Sequence, residues 1–150
     1  MIFRRATKED LPAIIKMIAN DTLGKSRERY EDPLPKAYYS AFEIIDGDKN
    51  QKLMVIENFQ GEVVASFQLS FLQYLTYEGG IRCLVENVHV RDDQTGKGIG
   101  KQMFQWIIAT AKEKGAHLIQ LTSNKLRPDA IRFYESIGFK ATHQGFKLHV

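Results

Sequence analysis

Residues 88–101 read VHVRDDQTGKGIGK, with glycine at every second position from Gly96 to Gly100. The stretch joins a β-favouring run to a helical pattern. Glycine adopts unusual backbone dihedrals and lets a ligand approach the main chain closely. The helix that follows begins with unpaired N–H groups and a partial positive charge. Such a connection predicts a site for phosphate or pyrophosphate, to which Lys97 and Lys101 add positive charge.

Two other phosphate-binding patterns fit this loop less well. A P-loop needs the pattern G-x-x-x-x-G-K-[ST], which the chain lacks. A dinucleotide-binding fingerprint opens an early βαβ unit, and an acidic residue lies on the next strand. Here the loop follows a series of hairpin-like strands, and the next strand, residues 117–122, reads HLIQLT. The sequence therefore favours a phosphate cradle of another kind.

The chain before this loop combines helices with a run of strands. Residues 2–6 predict a short strand. Thr7 and Asp10 have the spacing of a capping box, and the helical spacing of apolar residues over 11–18 predicts a first helix. A second helix is predicted over residues 36–45. Three strands, the first two forming a hairpin, are then predicted at residues 53–58, 63–74 and 81–90.

The chain after the loop alternates helices with strands. The predicted elements are, in order, a helix over 98–114, a strand over 117–122, a helix over 128–137 and one or two strands within 139–150. The full order is β-α-α-β-β-β-α-β-α-β-β. It predicts an α/β (α+β) fold with a mixed, mostly antiparallel sheet of about six to seven strands flanked by about four helices. Residues 1–150 are predicted to form a single domain.

Composition and charge exclude several classes of protein. The 150 residues carry a formal net charge of +3 and no basic block, which argues against a nucleic-acid partner. No apolar run reaches the roughly 20 residues of a membrane span, and Arg4 and Arg5 lie where a signal peptide is apolar. The lone Cys83 rules out an internal disulfide and is predicted to be a buried strand residue. The four histidines lack metal-ligand spacing, so no metal is predicted, and we expect a cytoplasmic protein.

Two motifs resemble those of the GNAT superfamily of N-acetyltransferases. The loop is similar to the family's motif A, [RQ]-x-x-G-x-[GA], with Gly98 and Gly100 at the small positions and Thr95 where the family has Arg or Gln. Residues 129–139, DAIRFYESIGF, resemble the family segment A-x-x-F-Y-x-x-x-G-F, and residues 3–10 resemble its usual start. The resemblance covers nearly the whole chain. It implies a GNAT-type fold and transfer of an acetyl group from acetyl-CoA to a primary amine.

The resemblance also implies where acetyl-CoA binds. In the family the coenzyme separates two parallel strands, and backbone groups of the first strand, here Val88, His89 and Val90, bond its pantetheine and acetyl groups. The residues implied to hold the pyrophosphate are Thr95, Gly96, Lys97, Gly98, Ile99, Gly100 and Lys101. Asn124 is a candidate for the pantetheine arm. Arg127, where many members have asparagine, is a candidate for a phosphate or an acidic substrate group, or is an exposed residue at a helix start.

Two residues are predicted to carry the chemistry, in which the amine attacks the thioester directly. Alternation along the strand puts Glu86, Val88 and Val90 on one face and points His89 the opposite way, so we expect only the backbone of His89 to be used. Related enzymes often have an acidic residue at the position of Glu86, which implies a general base that acts directly or through water. The structural alternative is a salt bridge at the sheet edge. Tyr134 matches the family tyrosine that protonates the departing sulfur, although a helical tyrosine is more often a core residue.

The acceptor amine is indicated by the C-terminal part of the chain. Residues 121–134, with His143 and Phe146, resemble the aminoalkylphosphonate acetyltransferase branch, which implies a small amine that can bear an acidic group. Aromatic residues that can line an acceptor site, or belong to the core, are Tyr38, Tyr39, Tyr74 and Tyr77. A protein lysine or N-terminal acetyltransferase and a non-catalytic acetyl-CoA-binding module remain as alternatives. Strand edges at the C-terminus would allow a homodimer.

Overall fold

The computed structural model describes residues 1–150 and divides into two compact units, Met1–Gln120 and Leu121–Val150. The strands, all in the first unit, are β1 (Ile2–Arg5), β2 (Gln51–Glu57), β3 (Val63–Gln73), β4 (Ile81–Val90) and β5 (Ala116–Gln120). The helices of this unit are α1 (Leu11–Asn20), α2 (Lys36–Gly47), the single turn α3 (Thr76–Gly79) and α4 (Ile99–Glu113). The second unit contains α5 (Pro128–Ser136). None of these helices combines the length and the apolar character needed to cross a membrane.

The five strands form one sheet in the order β1-β2-β3-β4-β5. The first four pair antiparallel, whereas β4 and β5 pair parallel because α4 carries the chain back along the sheet. This confirms the predicted mixed, mostly antiparallel sheet with a parallel pair around a late helix. The sheet has five strands rather than six or seven, and α3 is a turn of helix that the sequence did not predict.

Helices cover both faces of the sheet. Val55, opposite Ser66, lies on the face against which α1 and α2 pack, called here the α1/α2 face. The buried residues that surround Val55 there are Ala6, Leu11, Ile14, Ile15, Leu34 and Phe42. On the other face, the α4 face, Phe67 meets the ring of Trp106 edge-on at 5.7 Å, and Phe3 stacks on the same indole at 5.7 Å. The apolar positions of the first helix are therefore buried as their spacing predicts.

Two predicted C-terminal strands are absent. Residues 139–150 contain no strand, so the prediction of one or two strands within 139–150 was wrong. The alternation of Phe146, Leu148 and Val150 with polar residues is typical of a strand. It predicts only on which face of that strand each side chain would lie. A strand also requires a neighbouring backbone to which its N–H and C=O groups bond, and alternation in one segment carries no information about that neighbour.

Cys83 lies on β4 and is fully buried on the α4 face. Burial raises the pKa of its thiol to about 11, with a smaller opposing effect from Lys52. A thiol of this kind is neither accessible nor ionised near neutral pH. The prediction of a small buried strand residue is confirmed.

An ion network fastens β1 to the start of α1. The Arg4 guanidinium donates to both carboxylate oxygens of Asp10 at 2.7 and 2.8 Å and to Glu57 of β2 at 2.8 Å. Asp10 is 7% exposed and also accepts the backbone N–H of Thr7 at 2.7 Å, which is the capping box that the sequence predicted. The network therefore joins two strands and a helix N-terminus through one guanidinium.

We expect Asp10→Asn to lower the free energy of unfolding by about 2–3 kcal/mol at pH 7. The substitution removes a negative charge that balances the Arg4 guanidinium, and it weakens the capping box at the start of α1. Burial raises the pKa of Asp10, but the bonds from Arg4 and Thr7 outweigh burial and hold that pKa below its usual range. A depressed folded pKa means that the stabilisation is complete above the unfolded pKa of about 3.9 and is lost as pH falls through the lower folded value.

Urea unfolding of wild-type protein and variant from pH 7 to pH 2.5 measures this effect, and the difference between them should narrow below about pH 4. Asp46→Asn is the matched control, since Asp46 pairs with Arg5 at 3.0 Å on the exposed surface. That variant should differ from wild type by less than about 1 kcal/mol. Equal losses for Asp10→Asn and Asp46→Asn at pH 7 would contradict the role given to the buried network.

Candidate active site

β5 is paired with β4 along its whole length, but β4 extends beyond the end of β5. Their parallel ladder runs from Ile81 to Leu84, which lies opposite Gln120 at the end of β5. β4 continues to Val90, so β5 does not reach the last residues of β4. A backbone edge of this kind binds an extended, amide-containing ligand with strand-like hydrogen bonds. Val88, His89 and Val90, where backbone contacts are predicted, lie in this extension of β4.

β4 carries a β-bulge at Asn87. Glu86 lies opposite Gln68 and His89 lies opposite Ser66, so two residues of β4 face a single residue of β3. Asn87 has a φ of 52°, in the left-handed region that asparagine enters more readily than most other residues. A bulge bends its strand and redirects the side chains that follow it.

The bulge changes which side chains of β4 share a face. The register places Glu86 and His89 together on the α1/α2 face and places Val90, opposite Ala65, on the α4 face. The prediction that Glu86, Val88 and Val90 share one face with His89 opposite was wrong, because it assumed an uninterrupted alternation. His89 therefore stands on the same face as Glu86.

Glu86 sits beside a chain of amide side chains. It is exposed, and no salt bridge includes it, so the alternative of a structural ion pair finds no support. Asn87 donates to the side chain of Gln68 at 3.4 Å, Gln68 donates to Gln51 at 2.8 Å, and Gln51 donates to Asp48 at 3.0 Å. These bonds fix the orientation of the Gln68 amide next to Glu86. The Glu86 carboxylate takes no part in these bonds, and its role as a base stays a prediction.

The glycine loop ends in an open helix N-terminus. Gly96 and Gly98 have φ values of 75° and 78°, in the left-handed region, and Gly98 is the residue that caps α4. No side chain caps this helix, so the N–H groups of residues 99–101 are available to a ligand. A Cβ atom built on Gly96 or Gly98 would meet no atom within 4 Å, which shows open space over the backbone. The loop has the geometry of the predicted phosphate cradle.

Arg91 does not contribute free positive charge to this cradle. Its guanidinium donates to both oxygens of Asp93 at 2.6 and 3.0 Å and to Glu62 at 3.3 Å. The bonds from Arg91, with a further one from Gln94, hold the pKa of Asp93 below its usual range. The positive charges that remain in the loop are those of Lys97 and Lys101.

Thr95 has a structural task in the loop. Its hydroxyl donates to the backbone carbonyl of Asp92 at 2.9 Å and closes the short 3₁₀ turn Asp92–Gln94. The Lys97 ammonium donates to the side chain of Gln94 at 3.3 Å. Threonine at the position where the resemblance implies Arg or Gln therefore shapes the turn. The backbone N–H groups of the loop do not depend on it.

The remaining predicted site residues belong to the second unit. Asn124 accepts the backbone N–H of Leu126 through its side chain at 2.9 Å, and its carbonyl accepts the N–H of Arg127, so it forms the turn that starts α5. The Tyr134 ring packs edge-on against Phe133 at 5.5 Å and against Phe139 at 6.0 Å. The roles predicted for Asn124, Arg127 and Tyr134 stay predictions.

Sequence reasoning missed the neighbours of Glu86 on β2 and β3. Gln51 and Gln68 lie far from Glu86 in sequence, and only the strand register brings them beside it. The bulge carried a readable signal, since asparagine inside a strand pattern is typical of an interruption. The sequence held no comparable signal for the two glutamines, because a polar residue in an alternating strand is normally an exposed one.

Comparison with known proteins extends these observations. Residues 16–139 match the acetyltransferase (GNAT) family. The chain is 29% identical over 142 residues to an L-methionine sulfoximine/L-methionine sulfone acetyltransferase from Pseudomonas aeruginosa, covering 94% of this chain and 81% of that protein. It is 31% identical over 145 residues to an aminoalkylphosphonate N-acetyltransferase from Salmonella typhimurium, covering 95% of this chain and 87% of the relative.

A solved structure is similar over the full length. A protein from Bacillus halodurans C-125, described as a transcriptional regulator, is 50% identical, has a TM-score of 0.96 and is matched over 99% of both chains. The sheet with its parallel β4–β5 pair, the glycine loop and the family match agree with one another. Together they show that this chain is an acetyl-transferring enzyme of the acetyltransferase (GNAT) family.

Proposed function

We propose that the protein transfers the acetyl group of acetyl-CoA to the primary amine of a small molecule, by direct attack of the amine on the thioester. The observation that carries the proposal is the extension of β4 beyond the end of β5, followed within one loop by the open N-terminus of α4. A strand edge suits the amides of a pantetheine arm, and the helix start suits a pyrophosphate.

The backbone of the chain provides most of the binding in this proposal. Val88, His89 and Val90 would bond the pantetheine and acetyl groups through N–H and C=O. The N–H groups of residues 96–101 would hold the pyrophosphate, with Lys97 and Lys101 adding charge. Bound acetyl-CoA supplies an activated acyl group. The protein holds this group beside the amine, and a fixed geometry is itself a large source of rate enhancement.

Two side chains are proposed to move protons. Glu86 would remove the ammonium proton, directly or through water, because it is an exposed carboxylate in the extension of β4 and is free of salt bridges. Tyr134 would protonate the departing thiolate. The second assignment rests on the resemblance of the segment around Tyr134 to the family motif. Asn124 and Arg127 would bind the coenzyme, again by resemblance.

The relatives favour a small amine as acceptor. One acts on L-methionine sulfone and sulfoximine, and the other on aminoalkylphosphonates. All of these carry an amine close to an acidic group. A protein lysine or N-terminal acetyltransferase and a non-catalytic acetyl-CoA-binding module are the alternatives. The proposal includes a cytoplasmic location and no metal, and it leaves the homodimer to be tested by sedimentation.

The deciding experiment combines binding with turnover. We expect calorimetry to detect acetyl-CoA binding and a thiol-release assay to detect turnover with L-methionine sulfone or 2-aminoethylphosphonate. Release only with lysine peptides would favour the protein acetyltransferase. Binding without release from any amine or peptide would favour the non-catalytic module, and a chain that binds no acetyl-CoA would refute the proposal.

Glu86→Gln tests the proposed base. At neutral pH we expect kcat/KM for the amine to fall about 100-fold. The variant depends on spontaneous loss of the ammonium proton, so its activity should keep rising toward the pKa of the amine itself, and the deficit should be largest at low pH. Glu113→Gln, an exposed glutamate on α4, is the control. If the Glu86→Gln profile has the same shape as that of wild type, Glu86 is not the base.

A further inference from the structure

Arg82 lies in the part of β4 that is paired with β5. The register pairs it with Leu72 of β3 and Leu118 of β5, just before the ladder ends at Leu84. Arg82 and Glu86 both lie on the α1/α2 face, because the bulge at Asn87 comes after both of them and the alternation between them is uninterrupted. An acceptor that reaches Glu86 along this face from the end of β4 that is paired with β5 would therefore pass the guanidinium of Arg82.

The guanidinium of Arg82 is held in place without an acidic partner. Its central carbon lies 4.6 Å from the ring centroid of Tyr74 and 5.9 Å from that of Tyr77. One terminal nitrogen donates weakly to the side chain of Gln120 at 3.4 Å, and Nε is buried with no hydrogen-bond partner. A guanidinium has five N–H donors, and a buried donor without an acceptor is costly. The Arg82 guanidinium therefore has a buried N–H donor without an acceptor and no anion beside it.

The turn that supplies the aromatic rings is strained. Tyr77 and Glu78 have φ values of 54° and 55°, which non-glycine residues seldom adopt twice in succession. The Tyr77 ring packs on His117 of β5, with centroids 4.4 Å apart, and Gln73 donates to the carbonyl of Gly79 at 2.6 Å. Strain of this kind persists where the surroundings enforce it, and it is concentrated at ligand sites. Here it keeps two tyrosines beside Arg82.

We propose that Arg82 binds the acidic group of the acceptor and so selects amines that carry a carboxylate or phosphonate. This inference rests on the proposed function. Along β4, Arg82 and Glu86 are about 13 Å apart between Cα atoms, and both side chains extend from the same face. We expect the acceptor to place its acidic group at Arg82 and its amine on the side of Glu86. Arginine suits this task because its planar donors match two oxygens of a carboxylate or phosphonate.

Tyr74 is a positioning residue in this proposal. Its ring lies against the guanidinium and restricts the plane in which the donors point. Binding of an acidic group would satisfy donors that the protein leaves unpaired, whereas a neutral amine would leave them buried and unpaired. A site that is built to bond a polar group rejects analogues that lack it. Discrimination between acidic and neutral amines is therefore the property that Arg82 should control.

The test compares matched acceptors in matched variants. The acidic probes are 2-aminoethylphosphonate and L-methionine sulfone, and their neutral counterparts are the phosphonate diethyl ester and the carboxamide. We expect Arg82→Gln to raise KM for the acidic probes about 10- to 100-fold and to leave the neutral probes within about twofold. Arg82→Lys, which keeps the charge but loses the fork, should lie between. Arg5→Gln, which removes an exposed arginine from β1, is the control for net charge.

Direct binding separates this inference from the proposed function. Calorimetry with 2-aminoethylphosphonate and CoA-saturated protein should detect binding by wild type and weaker binding by Arg82→Gln, with unchanged affinity for acetyl-CoA as proof of folding. Arg82→Lys replaces Arg82→Gln if the latter does not fold. Turnover with equal KM in wild type and the Arg82 variants would overturn the inference and leave the function intact. Binding that depends on Arg82 without any turnover would support the inference and overturn the proposed function. A wild-type protein that neither binds nor acetylates the acidic probes would overturn the inference.

Discussion

Gly98→Val should weaken acetyl-CoA binding by at least about 100-fold, as measured by calorimetry. Gly98 has a φ of 78°, and a β-branched side chain in the left-handed region costs on the order of 1–2 kcal/mol or more. The valine would either leave that conformation and turn the N–H groups of residues 99–101 away, or keep it and occupy the open space above the loop. Each charge-assisted bond lost to a phosphate is worth about 1.5–3 kcal/mol, so the loss of two explains the expected effect.

Gly115→Val is the matched control for backbone strain. Gly115 follows the other end of α4, has a φ of 71° and likewise has no atom within 4 Å of a Cβ position. The two variants should lose similar amounts of stability, but Gly115→Val should retain wild-type affinity for acetyl-CoA. If Gly98→Val binds acetyl-CoA as tightly as Gly115→Val does, the phosphate cradle is not at the start of α4.

Tyr134→Phe should lower kcat by about 100-fold with little change in KM for acetyl-CoA. The substitution removes only the hydroxyl and keeps the ring, so the edge-on packing against Phe133 and Phe139 is preserved. General acid catalysis typically contributes a factor of about 10² to 10⁴, and a thiolate leaves more slowly without a proton donor. Stopped-flow detection of thiol release under saturating acetyl-CoA measures the effect.

The control for this variant is Tyr30→Phe, which removes a hydroxyl from a half-exposed tyrosine outside the proposed site. It should keep the wild-type kcat. A purely structural role for Tyr134 would appear as a lower midpoint of thermal unfolding with unchanged kcat in the folded protein. That outcome would remove Tyr134 from the proton transfer and leave the thiolate to take its proton from water.

The sequence was most informative where one local stretch determines the structure. The glycines before α4, the capping box at Thr7 and Asp10 and the helical spacing in α1 each act within a few residues, and the structure bears them out. The faces of β4 depend on the bulge at Asn87. Because a single extra residue reverses alternation, the positions of Glu86 and His89 could not be assigned from period alone.

Features that depend on distant partners were predicted poorly. The amides of Gln51 and Gln68 join Glu86 only through the register of β2, β3 and β4. The rings of Tyr74 and Tyr77 meet Arg82 only because an unpredicted turn folds them back. The alternating residues of the C-terminus lack a strand partner, which no pattern within them could reveal. In each case the deciding feature lies outside the short pattern from which the element was predicted.

The position of Cys83 has a practical consequence for thiol-release assays of this enzyme. It is the only cysteine of the chain, it is fully buried, and its pKa of about 11 leaves on the order of 0.1% thiolate or less near pH 7.5. Chromogenic disulfide reagents react with accessible thiolates. The folded enzyme should therefore add no background colour, and each equivalent of colour counts one molecule of coenzyme A released. The same reagent, once the chain is denatured, would titrate one thiol per polypeptide and so give the enzyme concentration in the same cuvette.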